Sequence, residues 1–196
     1  FSKNITGLWV EQEARRQWKR EGEDIGFGEL SEMAANAAPL RSFIDPDDPM
    51  FAPPGDMPRR IADYCMKTGQ PVPETKGEIV RVILESLAMK YRATVDMIDE
   101  LCGKRIPAIN IVGGGTQEKQ LSQFTANACG RPVYTGPIEA TALGNIVSQA
   151  IAAGEIKDIR EGREVVSNSC EFLTFEPKDT EKWNEAYERF KKVTKC

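Results

Sequence analysis

Histidine does not occur anywhere in this 196-residue chain. Its absence removes the most frequent general base, the most frequent metal ligand and every Ser–His or Cys–His nucleophilic arrangement. Any chemistry must therefore run on carboxylates, main-chain amides or a bound cofactor. No apolar run approaches the roughly 20 residues that a membrane-spanning helix needs, so no crossing of a bilayer is expected. The five cysteines, Cys65, Cys102, Cys129, Cys170 and Cys196, stand far apart and include no C-x-x-C pair. An odd, scattered set suits reduced thiols in a cytoplasmic protein better than a disulfide framework. A basic excess is lacking too: 26 Lys and Arg stand against 30 Asp and Glu, a formal charge of −4. That balance argues against nucleic acid as a partner. Neither G-x-G-x-x-G nor G-K-[ST] is present, which excludes the standard dinucleotide and P-loop fingerprints.

What remains is an ordinary globular composition, 40% hydrophobic and 29% charged, enough for one domain or a little more. The chain opens on Phe1 without a charged-then-apolar leader. It is expected to have lost a leader or to be a piece of something longer. Spacing of Ile5, Leu8, Trp9 and Gln12 predicts a helix over residues 4–21, stopped by Gly22. A second helix is expected over residues 29–37 and a brief extended stretch at 41–44. Asp56 is placed to cap a third helix that runs to Thr68. The clearest element spans Lys76 to Cys102. Thr75 and Glu78 form its capping box, an apolar stripe from Val80 to Cys102 steps by three or four, and Gly103 ends it.

Beyond it the pattern alternates. A buried strand is expected at 106–112, then a triple glycine, then a helix over 117–129. A strand at 132–135, a Gly136-Pro137 turn and a helix over 138–153 follow. A helix near 158–166, an extended piece at 171–175 and a last amphipathic helix complete the chain. This is an α/β order, helix-rich, with a short parallel sheet.

Gly113-Gly114-Gly115-Thr116-Gln117 is the one local constellation with a functional argument. Ligands of α/β sheets lie at the carboxyl ends of strands, and three glycines remove the side chains that would keep a ligand from the backbone. A following helix offers free N–H groups to an anion. A nucleotide fits these conditions, and so does a tight turn with close packing. Ala140, Ala142 and Gly144 read as a close-packing helix face. Gln12 sits on an otherwise apolar face, where it either satisfies a backbone group or points at a ligand. The Asp45–Asp48 cluster, broken by prolines, reads as a solvated loop rather than a metal site.

The segments Lys3–Trp9, Arg41–Pro49, Thr68–Glu74, Ile83–Ala88, the triple glycine, Gly136–Asn145 and Gln149–Ala152 resemble, in order, the C-terminal portion of the FGGY carbohydrate kinases, and within them the rhamnulokinases. The resemblance implies a partial ribonuclease-H-like domain of the actin–hexokinase type over residues 1–177, lacking its opening strands, with residues 178–196 as a C-terminal helix on or beyond it. It implies ATP and Mg2+ as cofactors, the metal held mainly by a missing N-terminal part, and L-rhamnulose phosphorylated at its 1-hydroxyl. Residue by residue, it places Asn4 at the sugar and Gln12, Gly113, Gly114, Gly115, Thr116, Gln117 and Glu118 at the nucleotide, Glu118 standing where an asparagine is usual. It assigns neither a catalytic residue nor a metal ligand to this chain. The family's catalytic aspartate lies upstream, so the chain alone is expected to be inactive, to pair with an N-terminal kinase domain, and to self-associate through uncovered apolar surface. Two alternatives stay open: a kinase of another ketose such as xylulose or fuculose, and a non-catalytic actin-like nucleotide-binding remnant.

Overall fold

The computed structural model describes residues 3–194. Cys196 and the opening Phe1 fall outside them. Eight α-helices and three short strands follow in the order α1 (Trp9–Arg20), α2 (Phe27–Asn36), α3 (Met57–Lys67), α4 (Lys76–Cys102), β1 (Ile109–Ile111), α5 (Lys119–Cys129), β2 (Val133–Thr135), α6 (Ala140–Ala152), α7 (Ile159–Ser169), β3 (Thr174–Phe175) and α8 (Thr180–Thr194).

The 27-residue α4 is the axis of the fold, and its ends are locally encoded. Thr75 and Glu78 make the reciprocal capping box, and Gly103 takes the left-handed conformation, φ +63°. Its middle is buried on all sides, so Val80, Leu84 and Leu87 reach zero exposure against α1, α2, α5 and α8. Helix α8 closes this core: Phe190 meets Phe43 edge-on at 5.9 Å, and Trp183 meets Phe124 at 5.5 Å. The expected extended stretch at 41–44 has no strand partner. Gln70 takes that place with its side chain, accepting from Phe43 N at 2.8 Å and donating to Phe43 O at 2.7 Å.

Three sequence expectations change. Residues 4–7 are not helical, and α1 begins at Trp9. The strand expected at 106–112 shrinks to three residues and is not buried: Asn110 is exposed, because β1 is the edge of the sheet. The sheet is also mixed rather than purely parallel, with β1 and β2 parallel and β2 and β3 antiparallel. A single helix carries a chain back so that the next strand runs parallel. Between β2 and β3 there are two helices, α6 and α7, which return the chain to the end where β2 finished.

Candidate functional site

The glycine loop leaves the carboxyl end of β1, whose register with β2 pairs Ile109 with Val133 and Ile111 with Thr135. Gly113 sits at φ +84°, ψ −167°, a conformation essentially reserved for glycine. Its N–H donates to Pro137 O at 3.0 Å, so the turn is anchored to the segment after β2. A 3₁₀ turn, Gly114–Gln117, follows. Thr116 is buried and ties it shut from behind, its hydroxyl donating to Gly113 O at 2.8 Å. Helix α5 therefore starts at Lys119, not at Gln117. Glu118 is its N-cap and accepts from Gln120 N at 3.1 Å. At Gly114 and Gly115 an added Cβ would meet no protein atom within 4 Å. The outer side of the loop is open.

It opens onto a cleft of about 940 Å³. Ile5, Leu8, Glu11 and Gln12 come from α1 and the segment before it, and Phe27 comes from α2. Tyr91, Thr94 and Val95 come from α4, Ile109–Ile111 from β1, and Leu121 and Thr125 from α5, while the loop adds Gly114, Gly115, Gln117 and Glu118. The structure thus brings together Gln12, Gly114, Gly115, Gln117 and Glu118. Gly113 and Thr116 shape the loop without lining the cleft. Asn4 is exposed and does not line it either, although its neighbour Ile5 does.

Helix α1 explains why Gln12 looked odd. Its core stripe is Val10, Ala14 and Trp18. The otherwise apolar face through Leu8 and Gln12 lines the cleft. A period identifies a face but not what covers it.

The acidic group that sequence reading missed is Glu11. It is 1% exposed, and its Oε1 has no hydrogen-bond partner. Burial, with a smaller contribution from Glu118, pushes its pKa up to about 7. The signal was available: a carboxylate three residues after Leu8 and one turn before Ala14 lies inside an apolar stripe. Glu118, 9% exposed, is better served, accepting from Ser31 Oγ at 3.1 Å as well as from Gln120 N. Among the described residues the ionisable side chains lining the cleft are Glu11, Glu118 and Tyr91, whose own pKa burial raises, and no Lys or Arg lines it.

A pH effect follows. Glu11 holds its proton more tightly folded, near 7, than at the ordinary 4.5. Its contribution to stability is fully present below pH 4.5 and is lost as pH rises through 7. Glu11→Gln, neutral at every pH, is expected to gain about 1–3 kcal/mol over the parent at pH 8 and little at pH 4.5. Urea unfolding at the two pH values measures it; equal shifts at both would contradict the buried-charge account.

Other expectations find their places. Asp45 and Asp47 hold the buried Lys90 at 2.8 and 3.2 Å, and Asp47 accepts from Thr6 N at 2.8 Å. The cluster is an ion-paired brace for the segment before α1. No group of three or more Cys, Asp or Glu is placed to hold a metal among the described residues. Ala142 and Gly144 do not make a close-packing face: both are exposed, and a Cβ on Gly144 would meet nothing. The close approach of α6 is made by Val147, whose Cγ1 lies 2.4 Å from where a Cβ on Gly162 of α7 would be. Cys65, Cys102, Cys129 and Cys170 are free thiols. No described helix is long and apolar enough to cross a membrane.

Residues 1–153 match the C-terminal domain of the FGGY family of carbohydrate kinases. The chain is 44% identical over 189 residues to a rhamnulokinase of Bacteroides thetaiotaomicron, covering 96% of this chain and 38% of that protein. It is 41% identical over 182 residues to a rhamnulokinase of Bacillus subtilis, covering 93% and 37%. Among solved structures it resembles xylulose kinase from Rhodospirillum rubrum, with a TM-score of 0.63, 16% identity and 95% and 37% of the two chains covered. Plasmodium falciparum glycerol kinase with ADP gives a TM-score of 0.58, 16% identity and coverage of 92% and 37%. The fold is therefore that of the actin-like sugar kinases, and the chain spans less than two fifths of the length of each of these proteins.

Proposed function

The chain belongs to the FGGY family of carbohydrate kinases, and from that premise we propose that it forms the nucleotide side of an ATP-dependent kinase acting on the 1-hydroxyl of L-rhamnulose. The observation that carries the reading is the glycine turn at the end of a parallel strand, free of side chains and open to the cleft. Main-chain amides at Gly114 and Gly115 are reachable there by a ligand that no side chain holds off. Gln12 and Gln117, both exposed on the cleft wall, can donate and accept around it. The sugar's identity rests on the kinship with rhamnulokinases, and Asn4, beside the cleft-lining Ile5, is assigned to the sugar on that ground.

Transfer of a phosphoryl group to a hydroxyl depends mostly on positioning and charge neutralisation, which suits a chain without histidine. In this reading the present residues do the positioning at the nucleotide end. The general-base aspartate and the groups that hold Mg2+ belong to a part of the protein upstream of these residues. The chain alone should then show almost no turnover in a coupled ATP-consumption assay with L-rhamnulose. A rate near that of a full-length kinase would overturn the division of labour. Free cysteines fit a cytoplasmic setting.

Gly114→Val tests the loop. The position has no left-handed φ, and a Cβ there would meet no protein atom within 4 Å, so the fold should be kept. The branched side chain would stand in the ligand's approach and is expected to weaken ATP binding about tenfold or more. Calorimetric titration with ATP, beside a melting curve to verify folding, decides it. Unchanged affinity would remove the loop from the site.

A further inference from the structure

The segment that leads into α1 has no regular structure of its own, yet it forms part of the cleft wall. Residues 3–7 belong to no helix or strand, so no ladder fixes their course. Ile5, Gly7 and Leu8 nevertheless line the cleft, together with Tyr91, Thr94 and Val95 of α4.

One distant loop holds this segment at two points. Thr6 N donates to Asp47 Oδ1 at 2.8 Å, and Trp9 Nε1 donates to Phe51 O at 3.1 Å. The loop is cross-braced where it does so. Asp45 Oδ1 accepts from Asp47 N at 3.1 Å, Asp48 Oδ1 accepts from Met50 N at 2.9 Å, and Phe51 is fully buried. Asp47 Oδ2 lies 3.2 Å from Lys90 Nζ, and Asp45 Oδ1 lies 2.8 Å from the same nitrogen. Lys90 is 6% exposed and directly precedes the cleft-lining Tyr91. A chain of contacts thus runs from α4, through Lys90 and Asp47, to the main chain of Thr6.

The two tethers act on different parts. Trp9 opens α1, whose core stripe of Val10, Ala14 and Trp18 seats that helix, and Gln12 with it. Thr6 lies before that stripe begins, two residues after Asn4. The Asp47 side chain is 29% exposed, so the core depends little on it. Its loss should free residues 4–8 and leave α1, the glycine loop and the fold in place. A freed wall must be ordered again whenever a ligand binds, and that ordering costs affinity.

We propose that Asp47 is a positioning residue for the acceptor sugar, holding Asn4 and the wall that follows it in register with α4 through the Thr6 N–H. The inference rests on the assignment of Asn4 to the sugar above and adds the group that keeps it there.

Steady-state kinetics of a full-length kinase carrying these residues, beside melting curves, test it. Asp47→Ala should raise KM for L-rhamnulose about tenfold or more, while kcat and KM for ATP stay within about twofold. Asp47→Asn keeps an acceptor for Thr6 N but turns an amide toward Lys90, so its KM should fall between the two. Hydrogen exchange at the Thr6 amide should quicken about tenfold in Asp47→Ala. A KM for L-rhamnulose unmoved in Asp47→Ala would overturn the proposal and leave the kinase reading intact. So would both KM values rising together with a lowered melting temperature, which marks a purely structural brace. A parent that transfers no phosphoryl group to L-rhamnulose would overturn both.

Discussion

Arg81→Met is expected to destabilise the chain by about 3–5 kcal/mol at pH 8, because it strands a buried carboxylate and removes the donor to the carbonyl end of α2 at once. Arg81 sits on α4 with its side chain 12% exposed, and its Nε donates to Glu85 Oε1 at 2.8 Å. Its Nη1 reaches Ala34 O, Ala35 O and Ala37 O at 3.0, 3.2 and 2.9 Å at the carbonyl end of α2, where Ala34 O also accepts from Ala37 N. Glu85 is 1% exposed, and its other oxygen accepts from Leu40 N at 2.8 Å. Burial pushes Glu85 up to about 7, while Arg81, the Leu40 N–H and Arg189 oppose the rise.

Without Arg81 only Leu40 N and the distant Arg189 would oppose burial, so the folded pKa of Glu85 should climb further. A raised carboxyl contributes stability at low pH and loses it as pH rises through the folded value. The loss in Arg81→Met should therefore be smaller at pH 5 than at pH 8. Adding Glu85→Gln should recover the pH-dependent part and leave the part due to the α2 carbonyls. Denaturant unfolding of the two variants at both pH values measures these effects. A loss below about 1 kcal/mol at pH 8, or one independent of pH, would show that the clamp is not energetically coupled in this way.

Gly77→Ala is expected to cost about 2–4 kcal/mol, against the ordinary gain from replacing glycine in a helix. A Cβ at Gly77 would lie 2.4 Å from Met33 O and 2.7 Å from Met33 C. Those are main-chain atoms of α2 and cannot rotate away. The start of α4 cannot move aside cheaply either. The capping box holds it, and Lys76 Nζ is 2.8 Å from Glu23 Oε1. Gly28, in α2, is the internal control, since a Cβ there meets nothing. Gly28→Ala should stabilise by about 0.5–1 kcal/mol through helix propensity alone. Opposite signs for the same chemical change, read from urea midpoints, are the result sought. Two small shifts of one sign would mean that α2 and α4 can part at that point.

The capping box at Thr75 and Glu78, the stop at Gly103, the Asp56 cap, and the strand–glycine–helix order around Gly113 all arise from contacts within a few residues or from a backbone angle that only glycine takes without strain. Such features are written locally and could be read there. The loop residues later found on the cleft, Gly114, Gly115 and Gln117, were legible for the same reason, whereas Glu118 came from the family resemblance.

The three-dimensional packing decided the remainder. Which stripe of α1 enters the core depends on α3 and α4, distant in sequence, and they cover Val10, Ala14 and Trp18 rather than Leu8 and Gln12. The direction of β3 depends on two helices folding back as a pair. The apolar neighbours of Glu11 along α1 hint at its burial, but its chemistry is set by the fold. Its raised pKa and unpartnered oxygen come from desolvation, a property of surroundings that no short stretch of chain contains.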